Sequence, residues 1–122
     1  LLNEINSDVS LFQNGDILDF LSEADVVIGF LTHSALEYAL IFKKPIIICN
    51  FYNLIDDVFL EKELALECKN PLNLVSLITN SITSNLATEK KVSDYTKEYL
   101  YKSDGLASER LCTVIEKLIK PN

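Results

Sequence analysis

The chain predicts an α/β fold with a parallel sheet of about four strands, and three observations carry that reading. Two β-branched runs bounded by breakers, Asp25-Val26-Val27-Ile28-Gly29 and Pro45-Ile46-Ile47-Ile48-Cys49-Asn50, are apolar without alternation. Such runs suit strands covered by helices on both faces. Helical patterns with three- and four-residue spacing separate and follow them, so strand and helix alternate through right-handed crossovers. Finally, 122 residues at 48% hydrophobic and 24% charged content make a single domain, residues 1–122, that holds a core without metal or disulfide staples. The expected architecture has three layers, with residues 25–29 and 45–50 as central strands.

Residues 9–12 (Val9-Ser10-Leu11-Phe12) and 65–68 (Ala65-Leu66-Glu67-Cys68) are the weaker strand candidates. Asp16 caps a short helix from Ile17 that ends before Ala24. Ser34 opens a helix over residues 35–42, which closes at Lys43-Lys44-Pro45, where a cationic last turn meets a residue that cannot continue a helix. Apolar positions run almost all round it, so burial on most sides is expected. Leu74, Val75, Ile78, Ile82 and Leu86 mark one amphipathic helix, and Leu111, Val114, Ile115, Leu118 and Ile119 another. Between them, residues 88–101 are polar, with Val92, Tyr95 and Tyr99 on one stripe, and read as a surface segment.

Eighteen acidic against eleven basic residues give a net charge of −7, and Arg110 is the single arginine. The electrostatic footprint of a nucleic-acid binder is missing. No apolar stretch approaches the ~20 residues of a membrane-spanning helix. Cys49, Cys68 and Cys112 are odd in number, far apart and without nearby histidine, which predicts buried thiols in a reducing cytoplasm and neither a disulfide framework nor a metal site. No Met is present and Leu1-Leu2 opens the chain, so a fragment of a longer protein is expected.

Open parallel sheets bind ligands beyond the carboxyl ends of their strands, which directs attention to Phe30-Leu31-Thr32-His33-Ser34. Ser34 and Glu37 have the spacing of a capping box. The same geometry serves chemistry, because a helix N-terminus at that edge presents unpaired N–H groups to a phosphate. Thr32, His33, Ser34 and Ala35 are therefore the candidate phosphate-binding residues, and Glu37, one turn on, the candidate ribose acceptor. His33 is the only histidine; it suits a solvated loop position or, with a pKa near neutrality, donation to a phosphate oxygen.

The order of segments carries a resemblance. Residues 16–29, then His33-Ser34-Ala35-Leu36-Glu37-Tyr38-Ala39, then Lys44-Pro45-Ile46-Ile47, resemble the C-terminal donor-binding domain of GT-B-fold enzymes. Within that superfamily they resemble the UDP-N-acetylglucosamine 2-epimerases and the glycosyl- and glycerophosphotransferases of capsule and cell-wall polymers. Lys69-Asn70-Pro71-Leu72-Asn73-Leu74 and Asp104-Gly105-Leu106-Ala107-Ser108-Glu109-Arg110 resemble later helix starts of that family, although Asp104 is read from the residues alone as a plain N-cap.

The resemblance implies a Rossmann-like half of a GT-B fold. Ser34 would meet the donor phosphates and Glu37 the ribose of a UDP- or CDP-type donor. It implies no cofactor, an N-terminal acceptor domain in the same parent chain, no turnover by this part alone, and action in the cytoplasm or at the membrane periphery through the parent. The epimerases carry Gly-Gly after their serine and a second glutamate, where this chain has Ala35-Leu36 and Tyr38. Side chains there narrow the approach of backbone to a pyrophosphate, which ranks a transferase above a 2-epimerase-like isomerase. A non-catalytic interaction module is the remaining reading, favoured by the scarcity of cations near Ser34. Catalytic residues are not assigned by the sequence.

Overall fold

The computed structural model describes residues 9–30 and 33–120, together with the backbone but not the side chain of His33. Its elements run α1 (Ile17–Glu23), β1 (Val27–Gly29), α2 (His33–Ile41), β2 (Ile46–Cys49), α3 (Val58–Glu61), β3 (Leu66–Cys68), α4 (Leu74–Thr83), α5 (Glu89–Tyr95) and α6 (Ala107–Ile119). A 3-10 turn at Pro71–Asn73 leads into α4, and a π-type turn at Thr96–Leu100 extends α5. The three strands form one parallel sheet in the order β1-β2-β3, with Val27 opposite Ile46 and Cys49 opposite Cys68.

β2 is buried at all four positions, and its alternation assigns each face to a different helix layer. Ile46 and Ile48 join Leu21 of α1, Leu36, Ala39 and Leu40 of α2, and Phe59 of α3 in one cluster. Ile47, Cys49 and Cys68 form a second cluster, against which Leu74, Leu77 and Ile78 of α4 pack. Helices thus cover the sheet on both faces, as uninterrupted apolar strands require.

The two crossovers close in the same way. At the end of α2, Lys43 N–H donates to Leu40 C=O and Lys44 N–H to Ala39 C=O, both at 2.9 Å, with Lys43 in the left-handed region at φ 55°. At the end of α3, Glu63 N–H donates to Leu60 C=O and Leu64 N–H to Phe59 C=O, with Glu63 at φ 52°. These are Schellman closures, built on charged residues where glycine is the usual choice. The segment entering α5 secures both: Asn85 Nδ2 donates to Lys43 C=O, Glu89 pairs with the Lys43 ammonium, and Lys91 Nζ donates to Glu63 C=O.

Several expectations need correction. The sheet has three strands among the described residues, because residues 9–12 find no strand partner and stay exposed. Phe12 instead lies on the Phe20 ring at 4.6 Å. The segment at 65–68 does form a strand. Only β2 is central; β1 stands at an edge of the described sheet, and Ile28 is 42% exposed. α2 buries Leu36, Ala39 and Leu40 but leaves Tyr38 and Ile41 exposed, since α1 and the sheet cover one side only. Residues 88–101 contribute to the core through Tyr95, 4% exposed. Asp16 caps α1 as expected, accepting from Leu18 N–H at 2.9 Å. Cys112 is exposed on α6, while Cys49 and Cys68 are buried.

Phe59 is fully buried between the layers. Phe59→Ala is expected to lower unfolding free energy by about 3–5 kcal/mol, whereas Val75→Ala, on the exposed side of α4, stays within about 0.5 kcal/mol. Urea titrations of the two variants against the parent chain check this.

Candidate functional site

α2 starts within four residues of the end of β1, so its first turn stands at the carboxyl edge of the sheet. Helix geometry begins at His33, one residue before the expected cap, which places Ser34 inside the first turn rather than at the N-cap. Thr32 and the His33 side chain lie outside the described residues. Ser34 is exposed and Ala35 half-buried. The structure therefore keeps His33, Ser34 and Ala35 together on one helical turn, with Glu37 following.

The Glu37 carboxylate is held by α5 instead of returning to the helix start. Tyr95 Oη donates to Glu37 Oε1 at 3.0 Å. The tyrosine ring is fixed by Phe59, 5.2 Å away, and by Tyr99, stacked at 4.7 Å. Burial, and then the hydrogen bond to the Glu37 carboxylate, push the Tyr95 phenol well above its usual range. The bond gives Glu37 a fixed direction that the capping-box expectation did not contain. Lys43 and Lys44 occupy the far end of α2, so neither offers charge to an anion at Ser34.

At the carboxyl end of β2 the chain makes a turn that sequence reasoning passed over. Asn50 is 3% exposed, and all its side-chain capacity is spent locally. Its Oδ1 accepts from Leu54 N–H (2.9 Å) and Ile55 N–H (3.0 Å), while Nδ2 donates to Ile55 C=O (3.1 Å) and Glu67 Oε1 (2.7 Å). Asn53 N–H donates to Asn50 C=O, with Asn53 in the left-handed region. The available signal was an Asn directly after a buried strand and a second Asn three residues on, both turn formers. Between this turn and the end of β1 lies a cavity of about 130 Å³, lined by Phe30, Cys49, Phe51, Tyr52, Leu54 and Ile55. Phe30 and Phe51 meet edge to face at 5.7 Å and 80°. Burial, then the neighbouring Cys68, push the Cys49 thiol up, which keeps it protonated and a poor nucleophile.

Asp104 does not cap α6. Leu106 holds the N-cap position, and Asp104 Oδ1 accepts from Leu106 N–H at 3.0 Å while both its oxygens accept from Arg110 Nη1 at 2.8 Å. The guanidinium holds the Asp104 carboxyl below its usual range, and the motif organises a helix start. Among the described residues, no cluster of three or more His, Cys, Asp or Glu side chains is arranged to hold a metal ion, and no helix is long and apolar enough to cross a membrane.

Two outcomes are expected. Asn50→Ala strands the partly buried donors and acceptors of the 50–55 turn and is expected to cost about 1–3 kcal/mol in chemical denaturation. Because the Tyr95 phenol is raised in the folded state, the native chain holds its proton above the ordinary phenol value of about 10. The associated stability is intact below that pH and declines as pH rises beyond it. Melting scans between pH 8 and 11 should show this loss, and Tyr95→Phe should flatten it. Comparison with known proteins returned no match to a family model, to a curated protein or to a solved structure.

Proposed function

We propose that this chain is the donor-nucleotide-binding half of a transferase that uses a nucleotide-activated sugar or a related polymer precursor, with a Rossmann-like domain serving as one half of a GT-B fold. The observation that carries the reading is the opening of α2 at the carboxyl edge of a parallel strand, with Glu37 one turn in and its carboxylate oriented by Tyr95. The first-turn N–H groups of α2 would receive a phosphate oxygen. Glu37 would accept from a ribose hydroxyl through the oxygen not committed to Tyr95. The covering of the sheet by helices on both faces is compatible with this assignment, and the segment order described above supports it. Turnover would need the opposing acceptor domain.

A second reading, an interaction module without ligand, is favoured by the placement of Lys43 and Lys44 away from Ser34. Titration separates the two. Under the donor-site reading, UDP or CDP binds with a dissociation constant on the order of a millimolar, about 4 kcal/mol, and moves the amide resonances of residues 33–37. Glu37→Gln weakens binding and Lys97→Ala leaves it unchanged, with melting temperature followed alongside. Absence of nucleotide-dependent shifts in the folded domain, or an equal response to pyrophosphate alone and to nucleotide, contradicts a ribose-reading donor site.

A further inference from the structure

The cavity between the ends of β1 and β2 has a chemistry unlike that of a phosphate or sugar site. Its lining residues are three aromatic rings, two aliphatic side chains and a cysteine, joined by Asn50. The Asn50 amide is fully engaged by Leu54, Ile55 and Glu67, so it offers no partner to an incoming hydroxyl. A polyol placed here would lose its hydration without replacement bonds, which is unfavourable. An anion would find no cation among the lining residues. Volume sets the scale: about 130 Å³ matches one six-membered ring, and apolar cavities of comparable size are known to take up benzene.

Part of the wall is held in place before any ligand arrives, while Tyr52 and Leu54 leave the cavity open to water. The Asn50 bonds fix the 50–55 turn, Phe51 packs against the core cluster of Ile47, Cys49 and Cys68, and Phe30 stands at 80° to Phe51. Two rings at that angle offer one face and one edge to a third, the arrangement aromatic groups prefer. Tyr52, 83% exposed, stands at the rim. The position beyond the carboxyl ends of parallel strands is where such sheets receive ligands.

We propose that Phe30, together with Phe51 and Tyr52 of the Asn50 turn, forms a binding site for an uncharged aromatic ring carried by a small molecule. The proposal goes beyond the donor-site reading and does not depend on it, because its reporters are residues 30 and 49–55 and not residues 33–37. A carbocyclic ring meets the required chemistry entirely, and a nucleobase meets it with its ring face, provided its polar edge stays in water at the open rim beside Tyr52.

The test is an amide NMR titration of the whole chain with toluene, uridine, cyclohexane and methyl glucoside in separate arms. Toluene should give saturable shifts at residues 30 and 49–55, with a dissociation constant on the order of a millimolar. Cyclohexane should bind more weakly, and methyl glucoside should not bind. Uridine acting at the same residues would identify the ring as a nucleobase; toluene acting without uridine would identify a carbocycle. Either result supports the site. Phe30→Ala should weaken toluene binding about threefold to tenfold with little change in melting temperature, because Phe30 is largely exposed. Phe51→Leu, which preserves apolar bulk beneath, should weaken it comparably. Absence of saturable shifts at residues 30 and 49–55 in folded protein overturns the proposal. So do cyclohexane binding equal to toluene, preferential binding of methyl glucoside, and an unchanged toluene affinity in both variants.

Discussion

The four residues of β2 impose the constraint on which the domain rests. Ile46, Ile47, Ile48 and Cys49 are all buried, and because side chains alternate, neither face can be left to water. One layer of helices must therefore cover Ile46 and Ile48 and another Ile47 and Cys49. α2 and α3 arrive on the first face as the crossovers that parallel strands require, and α4 supplies the second. The carboxyl edge where α2 opens and the Asn50 turn folds back follows from that parallel arrangement.

The other end of the sheet is organised by polar contacts. The Schellman closures at Lys43 and Glu63 place two charged residues in backbone conformations that cost energy outside glycine. Asn85, Glu89 and Lys91 bind these same two residues. The exposed ion pairs in this set contribute little each. Their effect is positional, bringing α5 alongside α2 so that Tyr95 reaches both the core and Glu37. The direction of the Glu37 carboxylate thus traces back to how the crossovers end.

The strands at 27–29 and 46–49 were legible because uninterrupted β-branched runs have few other uses, and Asp16 because its side chain caps locally. What the sequence concealed depended on distant partners. The Ser34–Glu37 spacing matches a capping box, yet a buried tyrosine 58 residues away claims the carboxylate. Asp104 looks like an N-cap until Arg110 takes its oxygens. β1 and β2 have similar composition, but among the described residues only β2 has strand neighbours on both sides. Tyr95 sits in a polar segment and is buried through Phe59, a contact that periodicity within 88–101 does not encode. The apolar stripe of α6 was evident from spacing; its exposure, from 43% at Ile115 to 77% at Leu118, was not.

This difference between β2 and α6 gives the account its most direct test. An isolated helix of this length is marginal in water, whereas a strand buried on both faces opens only with the whole domain. Native-state hydrogen exchange should find the amides of residues 46–49 exchanging only through global unfolding and those of residues 111–119 exchanging far faster. Equal protection of the two segments, or exchange at 46–49 as fast as at the exposed edge of β1, would contradict the central place given to β2.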